Sequence, residues 1–193
     1  MHKKISILKI SILCLFAVAC SATAKKNATI KSSGYCDSPS CLSAATILKE
    51  VSFRGAKKEV QRLYSKDSLW QAVLKGIASG SEEWLTVAVS LKPSTDAGSS
   101  EALDLAIGEA LEQNANLVLK RFGSSKSICG APDIDDPKYD TYEKALSAVQ
   151  LRIGKVQAIN DVGIKFQRDS CLDSLKESVT GLQNFFGKKS DSK

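Results

Sequence analysis

The stretch DSLWQAVLKGIASGSEEWLTVAVSLKP, residues 67–93, decides the fold class. Leu69, Trp70, Val73, Leu74 and Ile77 recur at steps of three and four, which places them on one face of a helix. Asp67 stands where a cap is expected, and Ser79-Gly80 ends the run. Ser81 then caps a second helix, with Glu82 and Glu83 in its first turn, where negative charge meets the positive end of the helix dipole. That helix carries Trp84, Leu85, Val87, Ala88 and Leu91. It stops before Pro93, whose ring disfavours helical backbone in the residue ahead of it. Helix, tight turn, helix is an αα-hairpin.

The same grammar extends in both directions. Upstream, Ser38-Pro39 opens a helix running through Ile47 and Val51, and a second spans Ala56 to Tyr64. Downstream, after the loop 94–99, Ser99 or Ser100 caps a helix with Leu103, Ala106, Ile107, Ala110 and Leu111 on one stripe. Asn114-Ala115-Asn116 reads as a tight turn into a short helix, Leu117 to Phe122. Residues 123–138 are the longest irregular segment, and two helices close the chain, near Tyr139–Val156 and Asp161–Gln183. The last shows Leu172, Leu175, Val179 and Leu182 at 3-4-3 spacing. No segment alternates with period two. An offset of 32 residues aligns Val73 with Leu105, Gly76 with Gly108, Ala78 with Ala110 and Leu85 with Leu117. The expected fold is therefore all-α, a compact multi-helix domain of αα-hairpins, HEAT- or armadillo-like, closed by two disulfides.

The first residues have the form of an export signal. Lys3, Lys4 and Lys9 precede an apolar run from Ile10 to Ala19, and Ala22-Thr23-Ala24 is a small-x-small cleavage pattern. The run is shorter than the roughly twenty apolar residues that span a bilayer. Residues 1–24 are thus read as a signal peptide, and 25–193 as a single helical domain with basic ends. Ala17-Val18-Ala19-Cys20 also resembles a lipobox, departing from it at Ala17 where Leu is usual, so lipidation at Cys20 is the second reading. The expected location is periplasmic or secreted, or membrane-tethered through lipid at Cys20.

Charge and histidine content exclude several function classes. The chain has 27 bases and 21 acids, a net charge of +6, but the excess sits in the leader and the tails. Between residues 32 and 187 there are 18 bases and 20 acids. A body without a basic surplus lacks the electrostatic footprint of a nucleic-acid binder. Six bases against two acids lie between Lys49 and Lys66, and seven acids against one base between Ser81 and Leu119. The only histidine is His2, inside the leader, so the body has no imidazole for a Ser-His or Cys-His pair and no histidine metal ligand.

Without Cys14 and Cys20, four cysteines remain: Cys36, Cys41, Cys129 and Cys171. An even number in an exported chain reads as two disulfides. Cys36 and Cys41 enclose the turn-forming Asp37-Ser38-Pro39-Ser40, which favours Cys36–Cys41 and Cys129–Cys171. The second pair closes about forty residues and contributes roughly 2–4 kcal/mol. A four-cysteine zinc site would need two short C-x2-C pairs, and the sequence has one short pair at x4 spacing.

Trp84-Leu85-x-Val87-Ala88, Leu91-x-Pro93, Asp96-Ala97-Gly98-x-x-Glu101, Cys129-Gly130 and Cys171-Leu172 together resemble small secreted helical proteins of Gram-negative bacteria, a group with no known activity. The resemblance covers about two-thirds of the chain after the leader, and it implies fold and location only.

The candidate sites are carboxylate-rich. Asp133, Asp135, Asp136 and Asp140 form the densest cluster, but Ile134 and Pro137 interrupt a calcium loop and no glycine stands at its turn. Glu82, Glu83 and Glu101 are the residues a carboxylate-dependent cell-wall glycan enzyme would use. The acidic small-residue loop from Asp96 to Glu101 offers Asp96, Ser99 and Glu101 as partner-binding residues. Phe185-Phe186 is either a sticky patch or the last contact of the final helix. No catalytic set, cofactor motif or metal set is assigned. The leading reading is a periplasmic non-enzymatic binding or inhibitor protein, immunity-like in form, that acts on a protein partner through helical surfaces. The alternatives are the glycan enzyme and a lipid-tethered structural lipoprotein.

Overall fold

Seven α-helices, three short 3-10 turns and no strand make up residues 36–190, which the computed structural model describes. The all-α expectation holds. The signal peptide, Cys20 and the tail residues 191–193 lie outside the described residues, as do the lysines at 25, 26 and 31.

The chain opens with a 3-10 turn, Pro39–Cys41, closed by the Cys36–Cys41 disulfide. Helix α1 (Ala44–Arg54) starts only after it, at a capping box: the Thr46 N–H donates to Ser43 Oγ at 3.2 Å and the Ser43 N–H to Thr46 Oγ1 at 2.9 Å. Ser38-Pro39 therefore starts the turn and not the helix. Gly55, at φ 84°, turns the chain into α2 (Ala56–Tyr64), in a conformation that side chains with a Cβ rarely adopt. Inside α2 the buried Glu59 holds Arg62 through two bonds of 2.5 and 2.9 Å, and Arg62 donates onward to the Cys36 carbonyl at 3.0 Å. That bidentate link ties the first disulfide turn to the helical body.

Helices α3 (Asp67–Ala78) and α4 (Glu82–Leu91) form the expected hairpin. Ser81 caps α4 as expected, accepting from the Trp84 N–H. Lys66, not Asp67, occupies the cap position of α3, so Asp67 serves the first turn by charge alone.

Helix α5 (Ala97–Phe122) corrects one expectation and refines another. Its cap is Asp96, with Ser99 as the reciprocal partner three residues on. The break expected at Asn114-Ala115-Asn116 is present, tightened to a kink between two helical stretches where only Asn114 leaves helical backbone, at φ −146° and ψ 61°. Asn114 accounts for both sides of the break: Nδ2 donates to the Gly80 carbonyl at 3.2 Å, and Oδ1 accepts the Leu117 N–H at 3.3 Å. It acts as an internal cap. The 32-residue offset thus pairs the α3–α4 hairpin with two helical stretches broken at Asn114. The paired glycines also differ in role: a Cβ on Gly76 would meet the Trp84 ring, and one on Gly108 would meet the Ile128 carbonyl at 2.8 Å.

Helix α6 (Tyr142–Gln157), capped by Thr141, begins later than expected because Tyr139 is packed inside the preceding irregular segment. A 3-10 turn, Val162–Ile164, leads into α7 (Lys165–Ser190). The Cys129–Cys171 disulfide, with both cysteines fully buried, fastens that irregular segment to α7. Both expected pairings are therefore formed. Residues from Cys36 onward make one unit in which α5 is central, packing on α3 and α4 on one side and on α6 and α7 on the other. Leu103, Ile107, Ala110, Leu111 and Val118 are all fully buried and form the apolar stripe by which α5 packs into the core.

Candidate functional site

The segment Asp96–Glu101, expected as a loop, is instead the cap and first turn of α5, because Asp96 and Ser99 close a capping box. The Ser99 N–H donates to Asp96 Oδ1 at 3.1 Å, Ser99 Oγ donates to the same oxygen at 2.6 Å, and the Asp96 N–H donates back to Ser99 Oγ at 3.0 Å. These bonds, the Ser99 hydroxyl first and its N–H second, lower the Asp96 carboxyl below the usual range. Ser99 is fully buried, so its role is to hold the helix start. Glu101 is the exposed carboxylate that this first part of α5 presents.

The fold brings a second acidic segment to this one. Asp133, Ile134 and Asp135, more than thirty positions away in sequence, form a recess of about 500 Å³ together with Gly98, Glu101, Ala102 and Leu105. An adjoining recess of about 330 Å³ shares Ala102, Leu105 and Asp133 and runs on to Leu74, Lys75 and Ala78 of α3 and to Glu109 and Asp136. The two make one trough along the outer face of α5. Its floor is apolar and low, because alanines at 78, 102 and 106 put little side chain in the way. Its rim carries Glu101, Glu109, Asp133, Asp135 and Asp136 against one lining base, Lys75. Glu109 is paired with Lys138 at 2.9 Å. Among the described residues no ion pair is formed by Glu101, Asp133, Asp135 or Asp136.

The far wall is pinned from behind. Arg152 of α6 is 2 % exposed, donates from Nε to Glu112 of α5 at 3.1 Å and from Nη1 to the Gly130 carbonyl at 3.3 Å. Gly130 follows Cys129, so a disulfide and a buried cation fix the backbone just ahead of the wall. Asp133 and Asp136 each accept a backbone N–H two residues on, from Asp135 and Lys138, which shapes the wall as successive turns.

The other candidates fall elsewhere. Asp140 pairs with Lys144 at 2.7 Å, and among the described residues no three acidic, cysteine or histidine side chains are grouped to hold a metal ion. Glu82 is bound by Arg121, near the far end of α5, at 2.8 Å. Arg121 lies beyond the Asn114 kink of α5, whereas Glu101 stands near the start of that helix and lines the trough. Asp96, held ionised, is also the reverse of a general acid, which needs a raised pKa. Trp70 is core, edge-on to Tyr64, and Trp84 packs over Gly76. Phe186 closes on Tyr142 and the core, whereas Phe185 is 49 % exposed.

A larger recess, about 750 Å³, lies between Val162, Phe166 and the outer face of α7. Its main charges are already matched, Lys126 with Glu177 and Lys165 with Asp169, both at 2.8 Å. The trough is the recess whose carboxylates, Glu109 apart, form no ion pair among the described residues. Sequence reasoning found both of its acidic segments but missed Arg152, although that arginine sits on the apolar stripe Ala145, Val149, Arg152, Val156. No protein-family model, curated protein or solved structure matches the chain.

Proposed function

We propose that the chain is an exported, non-enzymatic binding protein of inhibitor type, which captures a cationic segment of a partner protein in the trough along α5. One observation carries this reading: four carboxylates without ion pairs rim an apolar floor, on a wall held rigid by a disulfide and a buried arginine. Unpaired acids raise the local concentration of a basic partner and steer its approach. The apolar floor supplies the contact area that steering alone does not. A preformed wall avoids the cost of ordering a loop on binding. The two disulfides support an oxidising compartment, in keeping with the export pattern of residues 1–24, and both support a periplasmic or secreted location. Among the described residues no helix is long and apolar enough to cross a membrane.

The test is affinity capture of the tagged chain from native periplasm with mass spectrometry, run in parallel for Leu105→Asp and for the pair Glu101→Lys and Asp135→Lys. A stoichiometric protein partner should be retained by the parent. Both variants should lose it by tenfold or more, the charge-reversed pair through a slower on-rate. Retention of glycan or lipid alone, or equal capture by all three chains, would refute the reading. Loss of a measurable turnover on alanine substitution at Glu82, Glu83 and Glu101 would instead establish the enzyme.

A further inference from the structure

The corner between α1 and α2 carries a surface that the fold does not account for. Phe53 is 72 % exposed there, the most exposed phenylalanine but one among the described residues. Lys49 lies one turn before it on the same stripe of α1, and Lys57 and Lys58 follow immediately after the Gly55 turn; all three are exposed. None of them forms an ion pair among the described residues, while the corner's acids are taken up internally, Glu50 by Arg54 at 2.7 Å and Glu59 by Arg62 at 2.5 Å. The lysines do not serve the helix either. Lys57 and Lys58 occupy the first turn of α2, next to the positive end of its dipole, where cations are unfavourable. A large apolar side chain in water, with one cation a turn before it and two just past the Gly55 turn where they work against local helix stability, matches the chemistry of an anionic lipid surface. The ring enters the headgroup layer and the lysines meet the phosphates.

We infer that the α1–α2 corner docks this protein peripherally on an anionic phospholipid surface, through Phe53, Lys49, Lys57 and Lys58. Charge complementarity selects that occupant over a neutral bilayer, and the exposed ring selects it over a soluble polyanion. These residues share nothing with the trough, so the two proposals stand or fall separately.

The test is co-sedimentation of the chain from Lys25 onward, both disulfides formed, with phosphatidylglycerol–phosphatidylcholine vesicles and with phosphatidylcholine vesicles alone. Starting at Lys25 removes any acyl contribution from Cys20, and the tail lysines are the same in every variant. Partitioning should be confined to the anionic vesicles and fall with salt. Each lysine near such a surface is worth about fivefold, so Lys49→Gln, Lys57→Gln and Lys58→Gln together should weaken it about a hundredfold. Phe53→Ser should weaken it about tenfold. Melting temperature should hold, or rise in the lysine variant as like charges leave the helix start. Equal partitioning on neutral vesicles would overturn the inference. So would undiminished binding in both variants, or binding that falls with the lysines but ignores Phe53, which would indicate a soluble polyanion.

Discussion

Replacing Glu112 by alanine isolates the interaction on which the trough wall depends. The Arg152 guanidinium is 2 % exposed and has two protein acceptors, Glu112 at 3.1 Å and the Gly130 carbonyl at 3.3 Å, while Nη2 has none. Removing Glu112 leaves a buried cation with one neutral, stretched acceptor. Breaking a buried ion pair from one side costs about 3–5 kcal/mol. The Glu112 side chain retains 13 % exposure, so water can follow into its place, and the lower end of about 3 kcal/mol applies. For a domain of this size that is a fall of about 6–12 °C in melting temperature. Urea unfolding followed by circular dichroism should show a lower midpoint at an unchanged slope. The control is the pair Glu112→Leu and Arg152→Met, which removes both charges; it should match or exceed the parent, since apolar replacement of a buried pair is neutral or stabilising. Hydrogen exchange near Gly130 should rise in the single variant, because its carbonyl loses a held donor. If Glu112→Ala costs under about 1 kcal/mol, or the double variant is as unstable as the single, the pair does not hold the wall and the reasoning fails.

Gly76→Ala should destabilise by roughly 1–2 kcal/mol despite alanine's better helix propensity, since a Cβ there would lie 2.4–2.7 Å from three atoms of the Trp84 ring. The urea midpoint measures it, and a gain in stability would show that the ring has room to move. Asp96→Asn should leave neutral-pH melting nearly unchanged, because asparagine caps a helix as well as aspartate. The parent's Asp96 carboxyl is lowered by its bonds to Ser99, so its contribution is present above the ordinary carboxylate range and disappears as pH falls through the lowered value. Melting scans from neutral to strongly acidic pH should therefore show a shallower acid decline in Asp96→Asn, and parallel declines would contradict the assignment.

Helix α4 was legible in the sequence because cap, apolar period and stop signal agree within it, and α3 because its apolar period and stop do, although its cap lies one residue before Asp67. The disulfide pairing was legible because a five-residue separation with proline and serine inside admits a tight loop. Asn114 marked the break in α5 through its local turn preference but not its partner, a Gly80 carbonyl thirty-four residues away. Tyr139 misled: it looks like a helix-opening aromatic, and its burial places it in the irregular segment, leaving Thr141 to cap α6. Of the trough, each acidic half could be read alone. Their meeting could not, because no local pattern brings Glu101 beside Asp135; the packing of α5 on α6 and the Cys129–Cys171 bond do that.

The separation of charge along the sequence acquires a spatial meaning through α2. Its first turn carries Lys57 and Lys58, and its last residue, Tyr64, has its hydroxyl against Gly98, where the trough begins; a Cβ on that glycine would lie 2.9 Å from the oxygen. The basic corner and the start of the acidic trough thus sit toward opposite ends of a nine-residue helix, about 10 Å apart along its axis. That exceeds the Debye length of about 8 Å at physiological ionic strength. With the corner against an anionic surface, the trough's carboxylates would stand beyond the range at which headgroup charge repels them strongly. The same distance keeps the lysines from neutralising the trough internally. A protein with these charges intermixed would lose both effects, and here the length of one short helix is enough to secure them.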